Sequence, residues 1–164
     1  MPDRNKAEIM RCLEEVMDPE IPVISLIELG VVRDIDITTD EIVISLTPTY
    51  SGCPAMKVME EDILIRMKEK GYENVRIKPV FSPAWTTDWM SDEAKRKLKE
   101  YGIAPPGKVD AAALDPFKRT HRIISCPFCD SDKTHLKSEF GSTACKAMHY
   151  CDNCQQPFEH FKCI

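Results

Sequence analysis

Two pairs of cysteines near the C-terminal end have the residue type and spacing of a metal site. They are Cys126 and Cys129 in "CPFC", and Cys151 and Cys154 in "CDNC". Two intervening residues let a tight turn aim both thiolates of a pair at one ion, and a second pair completes a tetrahedral ligand set. The pattern predicts a four-cysteine zinc ribbon with a structural zinc ion; a redox dithiol is the alternative. Because iron and iron-sulfur clusters also accept four thiolates, ligand type alone does not exclude them.

Two further thiols lie at positions where they could react as nucleophiles or bind metal. Cys53 lies between Gly52 and Pro54, where a strand-like run ends and a helix-like run begins. The positive end of a helix dipole favours a thiolate, so Cys53 is a candidate nucleophile or soft-metal ligand, or else a small buried residue. Cys145 lies between the two cysteine pairs, after a predicted turn at 141–143. It is either a small buried residue or an accessory thiol that serves as a spare ligand or transfers metal.

The elements that must position these residues follow from periodicity. Helical spacing, strand-like alternation and the Gly and Pro residues that interrupt them predict a helix-strand-strand-helix-strand order. The helices are expected at 5–17 and from Cys53 to about Lys70, and the strands at 31–38, 41–47 and 74–81. The fold class predicted is α+β, with a small domain of this order followed by the zinc ribbon.

A third predicted helix and a Pro- and Ala-containing segment set the predicted domain boundaries. The helix runs from Asp92 to about Tyr101, with Ser91 as its N-cap. The stretch after it has the composition of a linker. We predict an α+β domain with a C-terminal helix at 1–104, a linker at 105–120 and the ribbon at 121–164.

Composition excludes several function classes. The 164 residues are 43% hydrophobic and 30% charged, with a formal net charge of −5. The negative charge lies mainly in residues 1–117, which argues against nucleic-acid binding. No apolar run is long enough to cross a membrane and the first residues lack the apolar segment of a signal peptide, so a cytoplasmic location is expected. No phosphate-binding glycine loop, catalytic triad or pair of Glu-x-x-His motifs is present, so no catalytic activity of its own is predicted.

Longer stretches resemble a known family. "DPEIPVISLIELGVVRDI" followed by "TPTYSGCPAM" resembles the MIP18-like and SufT-like domain of iron-sulfur cluster assembly proteins. With "EFGSTACKA" between the cysteine pairs and "PFEHFKC" at the end, the whole chain is similar to the PaaD family, also called PaaJ.

The resemblance implies an accessory role in phenylacetate catabolism. PaaD proteins are accessory subunits of the phenylacetyl-CoA epoxidase, and the implied partners are its di-iron oxygenase component and its flavin and iron-sulfur reductase component. The implied task is help with maturation of a metal or iron-sulfur centre. The resemblance carries Asp18, Glu20 and Cys53 over as the functional group of the first domain, and the four paired cysteines as the metal site of the second.

Two interpretations of that role stay open. In the first, Cys53 transiently holds iron or a nascent cluster, with Asp18 or Glu20 as an oxygen ligand and the ribbon as a docking surface. Sequence does not say whether the fold brings these carboxylates to the thiol. In the second, the protein is a stably bound structural or regulatory subunit of the oxygenase. A thiol-dependent enzyme is a weaker third, because no histidine is placed to serve Cys53.

Overall fold

A computed structural model of the chain describes residues 5–108 and 122–163. The chain divides into two compact units, Met1–Trp85 and Thr86–Ile164. The elements of the first unit are α1 (Lys6–Glu14), α2 (Leu26–Leu29), β1 (Val32–Ile37), β2 (Ile42–Leu46), α3 (Ala55–Glu69) and β3 (Val75–Pro79).

The first unit is built on a three-stranded sheet of order β1-β2-β3. Strands β1 and β2 form the predicted antiparallel pair, with Ile35 opposite Ile44. Strand β3 lies parallel to β2, with Ile77 beside Ile44, because α3 crosses over between them. Every residue of central strand β2 is buried. The predicted α+β class is confirmed.

The helices of the first unit are set by their caps and apolar faces. Helix α1 begins after Asn5, whose side chain accepts a hydrogen bond from the Glu8 amide, and it is shorter than the predicted 5–17. Helix α3 buries Met59, Ile63 and Met67 at four-residue intervals, as expected for one face of a helix.

The short helix α2 was not predicted. The Ser25 hydroxyl accepts from the Glu28 amide while the Glu28 carboxylate accepts from the Ser25 amide, which forms a capping box. Gly30 ends the helix in the left-handed conformation, with φ of 77°. A helix of four residues is too short to show a periodic pattern.

The second unit is built on a four-stranded sheet. Its elements are a 3₁₀ turn (Thr87–Trp89), α4 (Asp92–Tyr101), β4 (Ile103–Ala104), β5 (Thr134–Ser138), β6 (Lys146–Cys151) and β7 (Pro157–Phe161). The strand order is β4-β7-β6-β5. Strands β5, β6 and β7 are antiparallel neighbours, whereas β4 is parallel to β7. Helix α4 starts after Ser91, as predicted.

The division between the units differs from the predicted boundaries. The third predicted helix, α4, was placed in a domain ending at residue 104, but the structure groups α4 and β4 with the ribbon. The reason is that Ile103 and Ala104 pair with Glu159 and His160 of β7, and Ala104 is buried among the ribbon cysteines and Phe158. Residues 109–120 of the predicted linker lie outside the described residues.

Replacing Ala104 tests this grouping. In Ala104→Glu, a carboxylate would be buried against the ribbon core without a partner, and we expect the ribbon to lose about 2–4 kcal/mol of unfolding free energy. The measurement is chemical unfolding followed through metal release. Tyr101→Glu, at a half-exposed position of α4, is the matched control. Equal metal retention in both variants would contradict the grouping.

Candidate metal centre

The two cysteine pairs lie on two turns of the same geometry. In the first, the Cys126 amide donates to the Ser131 carbonyl oxygen (3.0 Å); in the second, the Cys151 amide donates to the Gln156 carbonyl oxygen (3.0 Å). The residue four positions after the first cysteine is left-handed in each, Asp130 with φ of 57° and Gln155 with φ of 58°. The repeated spacing in sequence thus folds into a repeated turn.

These turns bring the four sulfurs together. The ligand atoms of Cys126, Cys129, Cys151 and Cys154 all lie within 4.8 Å of one another. The Sγ atoms of Cys126 and Cys154 are 3.7 Å apart, and those of Cys129 and Cys151 are 3.6 Å apart. Sulfurs bonded at about 2.3 Å to one tetrahedral ion would be about 3.8 Å apart, so the donor set fits a metal ion.

Half of this site is also hydrophobic core. Cys126 and Cys151 are completely buried, in one cluster with Ala104 and Phe158. Cys129 and Cys154 are only partly buried. The site therefore has an inner pair of sulfurs that packs against the sheet and an outer pair nearer solvent.

The sulfurs of the site differ in their proton affinity. Burial raises the pKa of Cys126. Burial, followed by hydrogen bonding with the neighbouring thiols, raises the pKa of Cys154 to about 12. In contrast, the Asn153 side chain and then the Ser131 backbone lower the pKa of Cys129 to about 6. Because a metal ion binds thiolates, its binding must release protons from Cys126 and Cys154, the two cysteines whose pKa is raised.

Asn153 is a site residue that sequence reasoning missed. Its Nδ2 donates to Sγ of Cys129 at 3.6 Å, so a side chain of the second turn supports a thiolate of the first. The only sequence signal was an amide residue between the cysteines of "CDNC". Partners of this kind fix the orientation and charge of metal ligands.

The candidate residues of the first unit are placed differently. Cys53 is buried, just before α3, and its carbonyl oxygen accepts from the Met56 amide. Asp18 is also buried, and its Oδ1 accepts from the amides of Glu20 (2.9 Å) and Ile21 (2.7 Å). Asp18 therefore shapes its own turn.

The structure does not assemble Cys53, Asp18 and Glu20 into one ligand set. Across residues 5–108 and 122–163, the ribbon cysteines form the one group of three or more His, Cys, Asp or Glu side chains with metal-binding geometry. Asp18 instead lines a cavity of about 370 Å³ with Ile65 and other residues from the second half of α3, whereas Cys53 precedes the first turn of that helix.

Cys145 lies outside the four-cysteine cluster. It is buried, and its Sγ is 3.0 Å from Oγ1 of Thr143, in the turn before β6. Its backbone carbonyl oxygen accepts from the Lys162 amide. The structure thus places this thiol in a buried position immediately before β6.

Comparisons with known proteins agree with these two units. The family model of the PaaD zinc beta ribbon domain matches residues 114–162, and that of iron-sulfur cluster assembly proteins matches residues 6–77. A protein of Escherichia coli (strain K12), named as one of the subunits of 1,2-phenylacetyl-CoA epoxidase, is 47% identical over 158 residues, 96% of this chain and 92% of that protein. The chain belongs to the PaaD family.

Other relatives of this PaaD family member match a little over half of the chain. An Fe-S protein maturation auxiliary factor of Porphyromonas gingivalis (strain ATCC BAA-308 / W83) is 36% identical over 97 residues, 58% of this chain and 91% of that protein. The crystal structure of a DUF59 domain of unknown function from Bacillus anthracis superposes with a TM-score of 0.53 at 27% identity, over 57% of this chain and 90% of that one. Within the described residues, no helix has the length and apolar character needed to cross a membrane.

Removing the Asn153 amide tests its support of the metal site. Asn153→Ala removes the side-chain amide that donates to the Cys129 thiolate, so we expect faster protonation of that sulfur and about tenfold faster metal release to a chromogenic chelator. Asp152→Ala, at an exposed neighbour in the same turn, should release metal at the unchanged rate. The same acceleration in both variants would show a general loosening of the turn.

Proposed function

We propose that this chain is an accessory protein of a phenylacetyl-CoA epoxidase system that assists maturation of a metal or iron-sulfur centre in the oxygenase or reductase component. The observation that carries the proposal is the joining, in one chain, of a region matching iron-sulfur cluster assembly proteins to a region matching the PaaD ribbon. The similarity to the Escherichia coli epoxidase protein extends over both regions.

The two regions have different metal chemistry in this proposal. The ribbon offers four thiolates and no open position, which is the ligand arrangement of a structural zinc site. Zinc there stabilises the fold and presents the docking surface. Cys53, on the other unit, is the soft donor that holds iron or a nascent cluster in passing. The comparisons support the family, and the assignment of these tasks is ours.

The carboxylates have a restricted part in this mechanism. Two backbone amides already occupy Oδ1 of Asp18, so Asp18 would contribute to cargo binding mainly by holding its turn in shape. Glu20, half-buried in the same turn, is the other acidic side chain that the proposal offers as an oxygen ligand. Within the described residues no set of three ligands includes Cys53, so the proposal assigns the further ligands of a joint site to the recipient protein.

A second function is favoured by one observation, the name of the Escherichia coli relative, which describes it as part of the epoxidase. As a stably bound structural or regulatory subunit, this chain would handle no metal in transit. Size-exclusion chromatography of the co-expressed components separates the two functions. A maturation factor should be substoichiometric in the purified oxygenase complex, whereas a subunit should be present at a fixed ratio.

Replacing the Cys53 sulfur tests the maturation role. Cys53→Ser should lower support of epoxidase activity by the co-expressed components more than tenfold, because a hydroxyl is a poor ligand for iron in a sulfur site. Its free energy of unfolding should change by under about 1 kcal/mol. Cys12→Ser, at another buried thiol of the same unit, is the matched control. Full activity with Cys53→Ser would remove the proposed mechanism.

Metal analysis of the anaerobically purified full chain tests the division of tasks. We expect about one zinc per chain, retained in Cys53→Ser and lost in Cys126→Ser, since four thiolates make one closed site. Iron or acid-labile sulfide should depend on Cys53. Strong chelation should unfold the ribbon, because metal binding supplies folding free energy to such units. A ribbon that keeps its structure without metal would contradict this assignment.

A further inference from the structure

A second cavity lies within the ribbon unit, separate from the cysteine cluster. It has a volume of about 650 Å³ and is lined by residues of β5, β6 and β7 and by the stretch that precedes Cys126. This volume is within the range of small-molecule sites in proteins. None of the four metal-binding cysteines lines it, and the proposed maturation role makes no use of it.

Two buried histidines form one wall of this cavity. His149 is 8% exposed and His160 is 7% exposed. Ala147 pairs with His160 and His149 pairs with Phe158 across β6 and β7, so both imidazoles project from one face of the sheet. Their ring centroids are 5.5 Å apart, with the rings perpendicular, and His149 also stacks on Phe158 at 5.6 Å.

Each imidazole has a buried nitrogen without a hydrogen-bond partner in the part of the chain that the structure describes. These atoms are Nδ1 of His149 and Nε2 of His160. Buried polar groups in folded proteins are almost always paired with protein, water or a ligand. Two imidazoles with unpaired nitrogens at one cavity are an arrangement that a ligand would complete, either directly or through a water bound with it.

The charges around the cavity determine whether it favours an anionic or a cationic ligand. Arg122 and Lys162 line the cavity on the His160 side, and Glu139 is the carboxylate that lines it. Burial, and then the charges of His149, Lys162 and Arg122, lower the pKa of His160 to about 4. Both cations are thus near enough to His160 to repel a further positive charge. Their field disfavours a metal ion and favours an oxyanion.

The remaining lining combines apolar side chains with Thr134 and His135, and the Lys162 ammonium retains donor capacity. Ile124, Leu136 and Ala147 contribute aliphatic surface. The Lys162 ammonium donates to the Glu139 carbonyl oxygen at 2.9 Å, which uses one of its three N–H groups. We infer that this cavity binds a small organic anion, with its carboxylate or phosphate between Lys162, Arg122 and the two imidazoles and its apolar body against Leu136 and Ile124.

Ligand titration of the zinc-loaded full chain tests the inference. The probe is phenylacetate, a carboxylate on an apolar ring; acetate lacks the ring, and benzylamine replaces the carboxylate by a cation. Binding is followed through the ring ¹⁵N resonances of the histidines. We expect shifts at His149 and His160, and at least about tenfold tighter binding of phenylacetate than of either comparison compound. Benzylamine loses the charge-assisted contact and acetate loses the burial of the apolar ring, and each is worth about a factor of ten or more.

Variants connect the binding to these residues. Lys162→Gln and Arg122→Gln should each weaken phenylacetate binding about tenfold, as should His149→Phe, which keeps the stacking on Phe158. Lys137→Gln is the matched control, because it removes the same charge from a side chain that lies over the Tyr150 ring, away from the cavity lining. Zinc content and circular dichroism of each variant report whether the ribbon is folded.

Three results would overturn the inference. The first is the absence of shifts at both histidines at millimolar phenylacetate. The second is equal binding of benzylamine and phenylacetate, or equal weakening by Lys137→Gln, since either would show that the cavity does not recognise the anion. The third is binding of a second equivalent of Zn²⁺ that is lost in His149→Phe, which would make the cavity a cation site. Epoxidase support is not measured, so these outcomes are independent of the maturation proposal.

Discussion

The convergence of four sulfurs is the constraint on which the second unit depends. Strand β5 is exposed along most of its length, and the buried cluster beneath the turns consists of Cys126, Cys151, Phe158 and Ala104. Two of these four residues are metal ligands. A thiolate buried without an ion is strongly disfavoured, and burial accordingly raises the pKa of Cys126. The metal ion and the core therefore stabilise each other, as in other small metal-dependent units.

The first unit has the opposite organisation. Its core is aliphatic, formed by a wholly buried central strand and by Met59, Ile63 and Met67 of α3. The sulfur of Cys53 is not a ligand in any three-residue set within the described residues, and α3 begins without a side-chain cap. Within the described residues, the core of this unit therefore includes no set of metal ligands like that of the ribbon.

The sequence was sufficient to predict those elements whose residue pattern repeats over a short stretch of chain. The two "CxxC" pairs identified the ligands because their spacing determines the turn, and the period of α3 and the alternation of β1 and β2 identified the first unit. Elements that depend on distant pairing were not predictable. Strand β4 has two residues and forms only because β7 lies beside it. That pairing is the reason that α4 belongs to the ribbon unit and not to the first unit. Likewise, the contact of Asn153 with Cys129 and the meeting of His149 with His160 require turns and strands that are separated in sequence to come together in one register.

The burial of the ligands bears on which unit can release metal. An ion leaving the ribbon would expose or protonate Cys126 and Cys151, which are part of the core, so its departure would cost folding free energy as well as ligand bonds. The partly exposed Cys129 and Cys154 would open first, and Asn153 lowers the tendency of Cys129 to do so. Such a site suits a resident ion. A maturation factor must also release its cargo, and release costs less from a unit whose core contains no metal ligands. The physical difference between the two cores is thus the reason that the proposal assigns the transient metal to Cys53 and the permanent one to the ribbon.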